Sequence, residues 1–457
     1  MYLAAARIGA IMAGLGIQST FPELDRLARL ARPRLMVVLG ESRHGPLAAP
    51  LKPLFDSMDF VEAYVIIGSD PPHGAHSLWR WMETERLDMQ GALARRDAEI
   101  SPGDGALIVF TSGSTGTPKA AVLTHRGILS NILVQAREFG YRQDDRVLQN
   151  KPMNHVGGRT NLTLPTIAVG ATLVFMEYFH PARALAIVQH ERISILGQVP
   201  TMFIVEMNLT NFDHYDLSSV RLAIVGGAAT PVPIMHQITK MADTVITGFG
   251  MTETGGYITY TRVDDPPGTF ATSVGAVAPE FELRIVDHNR WPVLAGNVGE
   301  VAIRGSCLLK EYFGNPEATT QSSDADGWFY SGDLGFLDAR DYLTLVDRKT
   351  DMYITGGYNV YPREVELHIS GHPKVALVAV IGTADRVMGE VGAACVVPLA
   401  GASITVEDIA AYCTEGLAQY KIPRYIILRK SLPLTPLGKI DKPRLRREVL
   451  HNGRGSD

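Results

Sequence analysis

The chain is poor in three things. It holds only three cysteines in 457 residues, Cys307, Cys395 and Cys413. They show neither the paired spacing of a metal site nor the even pattern of a disulfide framework. That excludes a cysteine-stapled scaffold, suits a reducing compartment and predicts three small buried hydrophobes. No block of basic residues stands out, and the formal net charge is −5, so composition gives no case for a nucleic-acid partner. Apolar runs long enough to span a bilayer are missing as well. The opening MYLAAARIGAIMAGLGIQ has no positively charged start, and Arg7 interrupts it, which argues against a signal peptide and for an amphipathic core helix.

What is present is an ordinary soluble composition, 46% hydrophobic and 20% charged, in a chain too long for one core. Two or three domains are expected. Over the first two thirds, strand-like runs (RLMVVLG, EAYVIIG, GALIVF, ATLVFM, ISILGQV, RLAIVGG, TVITGFG) alternate with helix-length stretches such as 127–139 and 181–191. That alternation predicts crossover units and largely parallel sheet. From about Thr269, runs such as FELRIVD, VGEVAIRG and YLTLVDR are joined by short turns, which suggests an antiparallel, barrel-like module. After Asp347 the pattern reads as a compact α+β unit, and the last seven residues, HNGRGSD, read as disordered. The expected fold class is α/β: a large N-terminal domain of layered, mostly parallel sheets with helices plus the barrel-like module, over residues 1–347, and a small α+β domain over 348–457.

Four segments carry candidate chemistry. FTSGSTGTPKAAVLTH, Phe110–His125, follows a buried strand with a loop rich in hydroxyls and glycine and one lysine, Lys119. Backbone N–H groups in such a loop can hold phosphate, although Ser/Thr/Gly clusters are often no more than solvated connections. The P-loop pattern requires Gly-Lys-Ser/Thr, and Lys119 lies between Pro118 and Ala120, so an ordinary kinase or NTPase is disfavoured. In TGFGMTETGG a hydroxyl and a carboxylate, Thr252 and Glu253, stand side by side. Such a pair suits a phosphate and a magnesium ion, or simply a helix start with a carboxylate in its first turn. Asp333 occupies a glycine-flanked turn in WFYSGDLGF, and a Gly-Asp pair by itself is usually only a turn. Lys439, in PLTPLGKIDK, would by itself be a solvated charge.

Taken together, TSGSTGTPK, GFGMTE, SGD, VDRK with GGYNVYP, and LGKIDK resemble the adenylate-forming superfamily of acyl-CoA synthetases, carrier-protein adenylation domains and beetle luciferases. The resemblance covers nearly the whole chain. It implies ATP-dependent, magnesium-dependent activation of a carboxylic acid to an acyl-adenylate, followed by transfer to a thiol such as coenzyme A. The residues Thr111, Ser112, Gly113, Ser114, Thr115, Gly116, Thr117 and Lys119 would form the loop over the β- and γ-phosphates. Gly227 and Ala228 would border the adenine with Phe249 on its face, where the family usually has tyrosine. Thr252 would touch the α-phosphate and Glu253 would ligate Mg²⁺. Asp333 and Arg348 would hold the ribose, and Lys439 would bridge carboxylate and α-phosphate. His155 would stand at the mouth of the acyl pocket, to which GQVPTM, Gly226 and Gly250 would contribute. The Gly356–Gly357 loop would replace Lys439 for the second step, through a hinge near 348–351.

KPMNHVGGRTN lacks the aspartate that amino-acid-activating members carry beside this histidine, which favours an acid without an α-amine. The family also has a further N-terminal stretch, and Met1 would align with one of its internal helices. Transfer to a carrier-protein phosphopantetheine and a non-catalytic nucleotide-binding role stay open as alternatives. The expected setting is cytoplasmic, with a small-molecule acid, ATP and CoA as partners, no transmembrane segment and self-association into a homodimer an open alternative.

Overall fold

The computed structural model describes residues 1–457 except 18, 43–44, 69, 84–88, 112–117, 229, 231, 267, 400, 436–437 and 453–457. Two compact units emerge: Met1–Leu129 with Leu309–Thr320, and Ser130–Leu308 with Gln321–Asp457.

In the first unit the opening segment departs from the expected core helix. The helix runs only over Tyr2–Arg7 and buries none of its residues. Gly9, at φ +69°, turns the chain, and Met12–Ala13 then pairs in parallel with Leu107 and Ile108. The apolar residues that suggested a helix face are therefore divided between an exposed turn and a short edge strand. The strands Leu35–Leu39 and Ala63–Ile67 pair in parallel, as the alternation predicts. Ahead of them, the helix Phe21–Ala31 starts at a reciprocal cap, in which the Thr20 N–H donates to Glu23 Oε2 at 2.8 Å. Gly105–Thr111 does not lead into a crossover. It pairs antiparallel with Lys119–Thr124, so the hydroxyl-rich loop joins a hairpin. The second strand, KAAVLT, is masked in sequence by two alanines, which are weak strand formers.

The second unit contains a five-stranded parallel sheet, ordered Thr172–Phe175, Arg146–Gln149, Ile195–Gln198, Leu222–Val225, Thr244–Thr247. Its central strands are buried on both faces, as their unbroken apolar sequences require. Helices such as Pro181–Glu191, begun by a proline at its first position, cover them. The strands Phe281–Val286, Gly299–Gly305, Phe329–Leu337 and Leu343–Arg348 follow as an antiparallel sheet. Beyond Asp347 a further sheet, built on the long hairpin Val375–Asp385 and Gly389–Pro398, packs against the helices Pro362–Ser370 and Val406–Gly416. The final helix, Lys442–Asn452, takes in the first two residues of the tail that reads as disordered, and the other five lie outside the described residues. All three cysteines are free and buried, as expected.

Candidate active site

In open parallel sheets, chemistry gathers where the loops leave the carboxyl ends of the strands. At that edge lie Asn150 and Lys151 after one strand, Val199 after the next, Gly226 and Gly227 after the third, and Gly248 and Phe249 after the last. Lys439 reaches the same edge from the distant C-terminal loop. A Cβ on Gly227 would lie 3.1 Å from Lys439 Cε and 3.4 Å from its Nζ, so glycine there leaves room for the lysine. The approach is anchored by Thr201, whose hydroxyl donates to the Gly438 carbonyl at 2.5 Å. Gly438 takes φ +76°, which gives the loop its tight turn. A second clamp closes the loop base, where the Thr435 N–H donates to the Lys439 carbonyl at 2.7 Å.

Asp333 and Arg348 face each other across adjacent antiparallel strands, with Arg348 Nε donating to Asp333 Oδ1 at 3.0 Å. Burial holds the Asp333 carboxyl above the usual carboxylate range, despite Arg348. Arg348 in turn feels Asp333 first and also Glu253. Thr252 and Glu253 are both buried in the single turn Thr252–Thr254, closed by Gly255 at φ +67°. Asn131 fixes that turn from below, donating to the carbonyls of Thr254 and Tyr257, each at 3.0 Å.

The Lys439 ammonium is pulled down to about 8, by burial first and then by Arg348, with Asp333 opposing. Lys151 and His155 both feel its charge. Burial and then Lys439 bring the Lys151 ammonium down to about 7. Burial, Lys439 and Lys151 bring the His155 imidazole down to about 4, so it is neutral at physiological pH. Lys439 is thus coupled in charge to Arg348 and Asp333 and also to Lys151 and His155.

Other expected residues are placed differently. Phe249 is buried in the main core. Gly227 and Ala228 are exposed at their strand end. Gly226 is small because Tyr257 crosses it, its Cβ position lying 2.3 Å from the phenol oxygen. Gly250 is small because the Gly256 carbonyl lies 2.1 Å from its own Cβ position. Backbone crowding therefore accounts for Gly250 without any pocket. The exposed pair Gly356 and Gly357, at φ +55° and +88°, is not joined to Lys439; a Cβ on Gly356 would meet Met388. Within the first unit, Thr111 ends its strand, and Lys119 begins the next with its ammonium 4.8 Å from the centre of the Tyr312 ring. Ser112, Gly113, Ser114, Thr115, Gly116 and Thr117 lie outside the described residues. Sequence reasoning missed Lys151, and it named Thr201 only within the pocket segment GQVPTM, not as the anchor of the Gly438 carbonyl. Nothing in the local pattern marked Lys151, which follows the short strand Arg146–Gln149 and Asn150.

Comparison with known proteins agrees with this architecture. Residues 1–313 match the AMP-binding enzyme family model, and 364–439 match the AMP-binding enzyme C-terminal domain. The chain is 35% identical over 446 residues to the 3-[(3aS,4S,7aS)-7a-methyl-1,5-dioxo-octahydro-1H-inden-4-yl]propanoyl:CoA ligase of Rhodococcus jostii, covering 96% of this chain and 84% of that protein. It is 31% identical to the indoleacetate–CoA ligase of Aromatoleum aromaticum, covering 98% and 85%. Among solved structures, the anthranilate CoA ligase AuaEII in complex with anthranoyl-AMP superposes with a TM-score of 0.88 at 25% identity, covering 99% of this chain and 85% of that one. The chain therefore belongs to the AMP-binding enzyme family, the adenylate-forming superfamily, and is an AMP-forming acid–thiol ligase of the acyl-CoA synthetase kind.

Proposed function

We propose that Lys439, Asp333, Arg348, Thr252 and Glu253 form the adenylation site for a carboxylic acid without an α-amine. In the first half-reaction a carboxylate oxygen attacks the α-phosphorus of ATP, and the bond from that phosphorus to the β-phosphate bridging oxygen breaks. Pyrophosphate leaves and an acyl-adenylate remains. In the second, the CoA sulfur attacks the acyl carbon, the thiol proton is lost, and AMP departs with the former carboxylate oxygen. The observation that carries this reading is the position of Lys439 over Gly227, with Arg348 and Asp333 near enough to act on its ammonium. A cation there touches both the attacking carboxylate and the α-phosphate, where negative charge accumulates.

Asp333 and Arg348 would receive the ribose, the carboxylate accepting from its hydroxyls, and Thr252 would donate to the α-phosphate. Magnesium prefers oxygen ligands and is usually held by one or two carboxylates together with substrate phosphates. The buried Glu253 carboxylate beside Thr252 fits that donor set, and the ion would neutralise phosphate charge. The hairpin loop 111–119 would cover the β- and γ-phosphates. For thioester formation the segment from Arg348 onward would turn about 348–351, withdrawing Lys439 and bringing in Gly356–Gly357. Neutral His155 would border the acyl group.

The test is mass spectrometry of single turnovers with ATP, magnesium and a panel of acids, with CoA or a phosphopantetheinylated carrier protein added afterwards. Acyl-AMP followed by acyl-CoA is expected. Nucleotide binding without any acyl-AMP would leave only a binding role, and thioester formed on the carrier alone would move the acceptor away from CoA.

A further inference from the structure

Lys151 is a cation at the sheet edge that this adenylation chemistry leaves without a task. Its backbone is held on both sides by one residue: its N–H donates to Gln149 Oε1 at 3.2 Å, and its carbonyl accepts from Gln149 Nε2 at 2.9 Å. The side chain then folds over the next turn, its Cδ 3.5 Å from where a Cβ on Gly157 would be. Glycine at 157 gives the stem its space, and the ammonium is thereby fixed in a half-buried position.

Among the described residues, no carboxylate or other side chain pairs with the Lys151 ammonium. The stretch 150–163, NKPMNHVGGRTNLT, contains no Asp or Glu, and it adds a further buried cation, Arg159. The neighbouring Asn150 is only 4% exposed, and neither atom of its side-chain amide has a hydrogen-bond partner. Burying an ammonium and an amide together without partners is costly, and such groups in folded proteins are normally satisfied. An arrangement of this kind at a substrate site is completed by the substrate. The missing partner must be anionic and must accept hydrogen bonds.

Strand order says which part of the substrate is involved. Lys151 follows Arg146–Gln149, the strand next to Ile195–Gln198, whereas Gly227 follows Leu222–Val225 on the other side of that strand. The strand Ile195–Gln198 thus separates the loop of Lys151 from the loop over which Lys439 lies, although Lys151 and His155 are near enough to feel the Lys439 charge. The reacting carboxylate is already allotted to Lys439. Resting on that assignment, we propose that Lys151 binds a second anionic group remote from the reacting carboxylate, so that this enzyme activates acids bearing a distal carboxylate in preference to simple monocarboxylic acids.

The test uses matched sets of three acids with one carbon skeleton: a monocarboxylic acid, the corresponding dicarboxylic acid, and the monomethyl ester of that dicarboxylic acid. Aliphatic and aryl skeletons are both included. Acyl-AMP formation is measured with wild-type enzyme, Lys151→Met and Lys151→Arg, each confirmed folded by thermal melting. Binding of each acid alone is followed by thermal shift. A charge-assisted hydrogen bond lost to methionine corresponds to a fall of about 10–100-fold in kcat/KM for the dicarboxylate. The monoacid and the half-ester should be unaffected or improved, and arginine should restore part of the dicarboxylate rate. If Lys151→Met damages all three acids equally, the lysine holds the reacting carboxylate or the nucleotide, and the proposal fails. It fails too if wild-type enzyme prefers the half-ester to the diacid. Should no acid yield acyl-AMP while the dicarboxylate still stabilises wild-type protein but not Lys151→Met, the adenylation reading falls and the anion site stands.

Discussion

Two charged clusters in the second unit are built on opposite plans. Around the 348–351 segment, charges are matched. Asp347 accepts from the N–H groups of Arg348 at 2.7 Å and Arg363 at 2.9 Å, one from each carboxylate oxygen. Glu366 accepts from the Val380 N–H at 2.7 Å and pairs with Lys442 Nζ at 2.8 Å. Burial pulls the Lys442 ammonium down, yet Glu366, Asp351 and Asp347 together leave it above its usual range. At the sheet edge, by contrast, the carboxylate that Lys439 feels is Asp333, which Arg348 already holds, and among the described residues Lys151 and His155 are influenced by cations alone. The first cluster clasps two parts of the fold together. The second is held by the fold in a state that only a ligand satisfies. A buried charge is a sign of function when its partner is missing, and a sign of architecture when its partner is present.

The largest test of that contrast removes the cation at the centre of the unmatched cluster. Lys439→Ala should slow acyl-AMP formation by about 10²–10³, the scale of one lost electrostatic contact to developing charge. Conversion of supplied acyl-AMP to thioester should largely survive. Because the Lys439 ammonium is held at about 8, adenylation kcat/KM should also decline as pH rises through that value and the charge is lost. Equal damage to both half-reactions, or a flat profile between pH 7 and 9, would remove Lys439 from its assigned place.

A smaller pair of substitutions addresses the same contrast through stability. Lys442→Met breaks a matched pair and strands Glu366, so the unfolding free energy should fall by about 1–3 kcal/mol, between the surface and fully buried cases. Lys151→Met removes a charge the protein does not balance, so ligand-free protein should become more stable, by about 1 kcal/mol or more. The sign follows from linkage. The Lys151 pKa in the fold lies below the ordinary lysine value, so the penalty is complete below about pH 7 and fades as pH rises toward 10. The gap between Lys151→Met and wild type should narrow over that interval. Two substitutions of the same sign in chemical denaturation would dissolve the distinction between the clusters.

These clusters also mark where sequence reasoning succeeds and where it stops. The parallel strands were legible because they are buried on both faces and so read as unbroken apolar runs, Leu222–Val225 being one case. Asp333, Arg348 and Lys439 were legible through the motifs around them. The first helix was not, because Gly9 cuts an apolar run whose composition gives no hint of the φ it adopts. The hairpin after Thr111 was hidden by the alanines of its second strand. Lys151 escaped because a lysine is ordinarily a surface residue, and only the packing of the chain over Gly157 shows that this one is enclosed. The backbone reason for glycine at 250 was hidden as well, because sequence cannot show the Gly256 carbonyl that crowds it.

The smallest effect sharpens the rule from the acidic side. Glu206, on the helix Pro200–Met207, is fully buried, and Gln198 Nε2 donates to its Oε1 at 2.8 Å. The other two oxygens, Glu206 Oε2 and Gln198 Oε1, have no partner. One proton on Glu206 satisfies both, since the acid then donates from Oε2 to the amide oxygen and closes a ring of two hydrogen bonds. Burial raises the Glu206 pKa to about 8, with Gln198 opposing, so the neutral acid is the form present at pH 7. A raised carboxyl pKa means stability that is complete below about pH 4.5 and is lost as pH climbs to about 8, at roughly 1.4 kcal/mol for each unit. This runs opposite to Lys151, whose contribution improves with rising pH. Glu206→Gln keeps a two-bond ring with Gln198 and has no proton to lose. Its stability should change less than that of wild type between pH 5 and 8.5, with the advantage growing toward the alkaline end. Glu206→Leu, which strands the Gln198 amide, should cost about 1–3 kcal/mol at pH 5. Denaturation curves for wild type and Glu206→Gln that run parallel across this range would show that Glu206 is already ionised in the fold, and that an unmatched buried charge can be tolerated outside the active site.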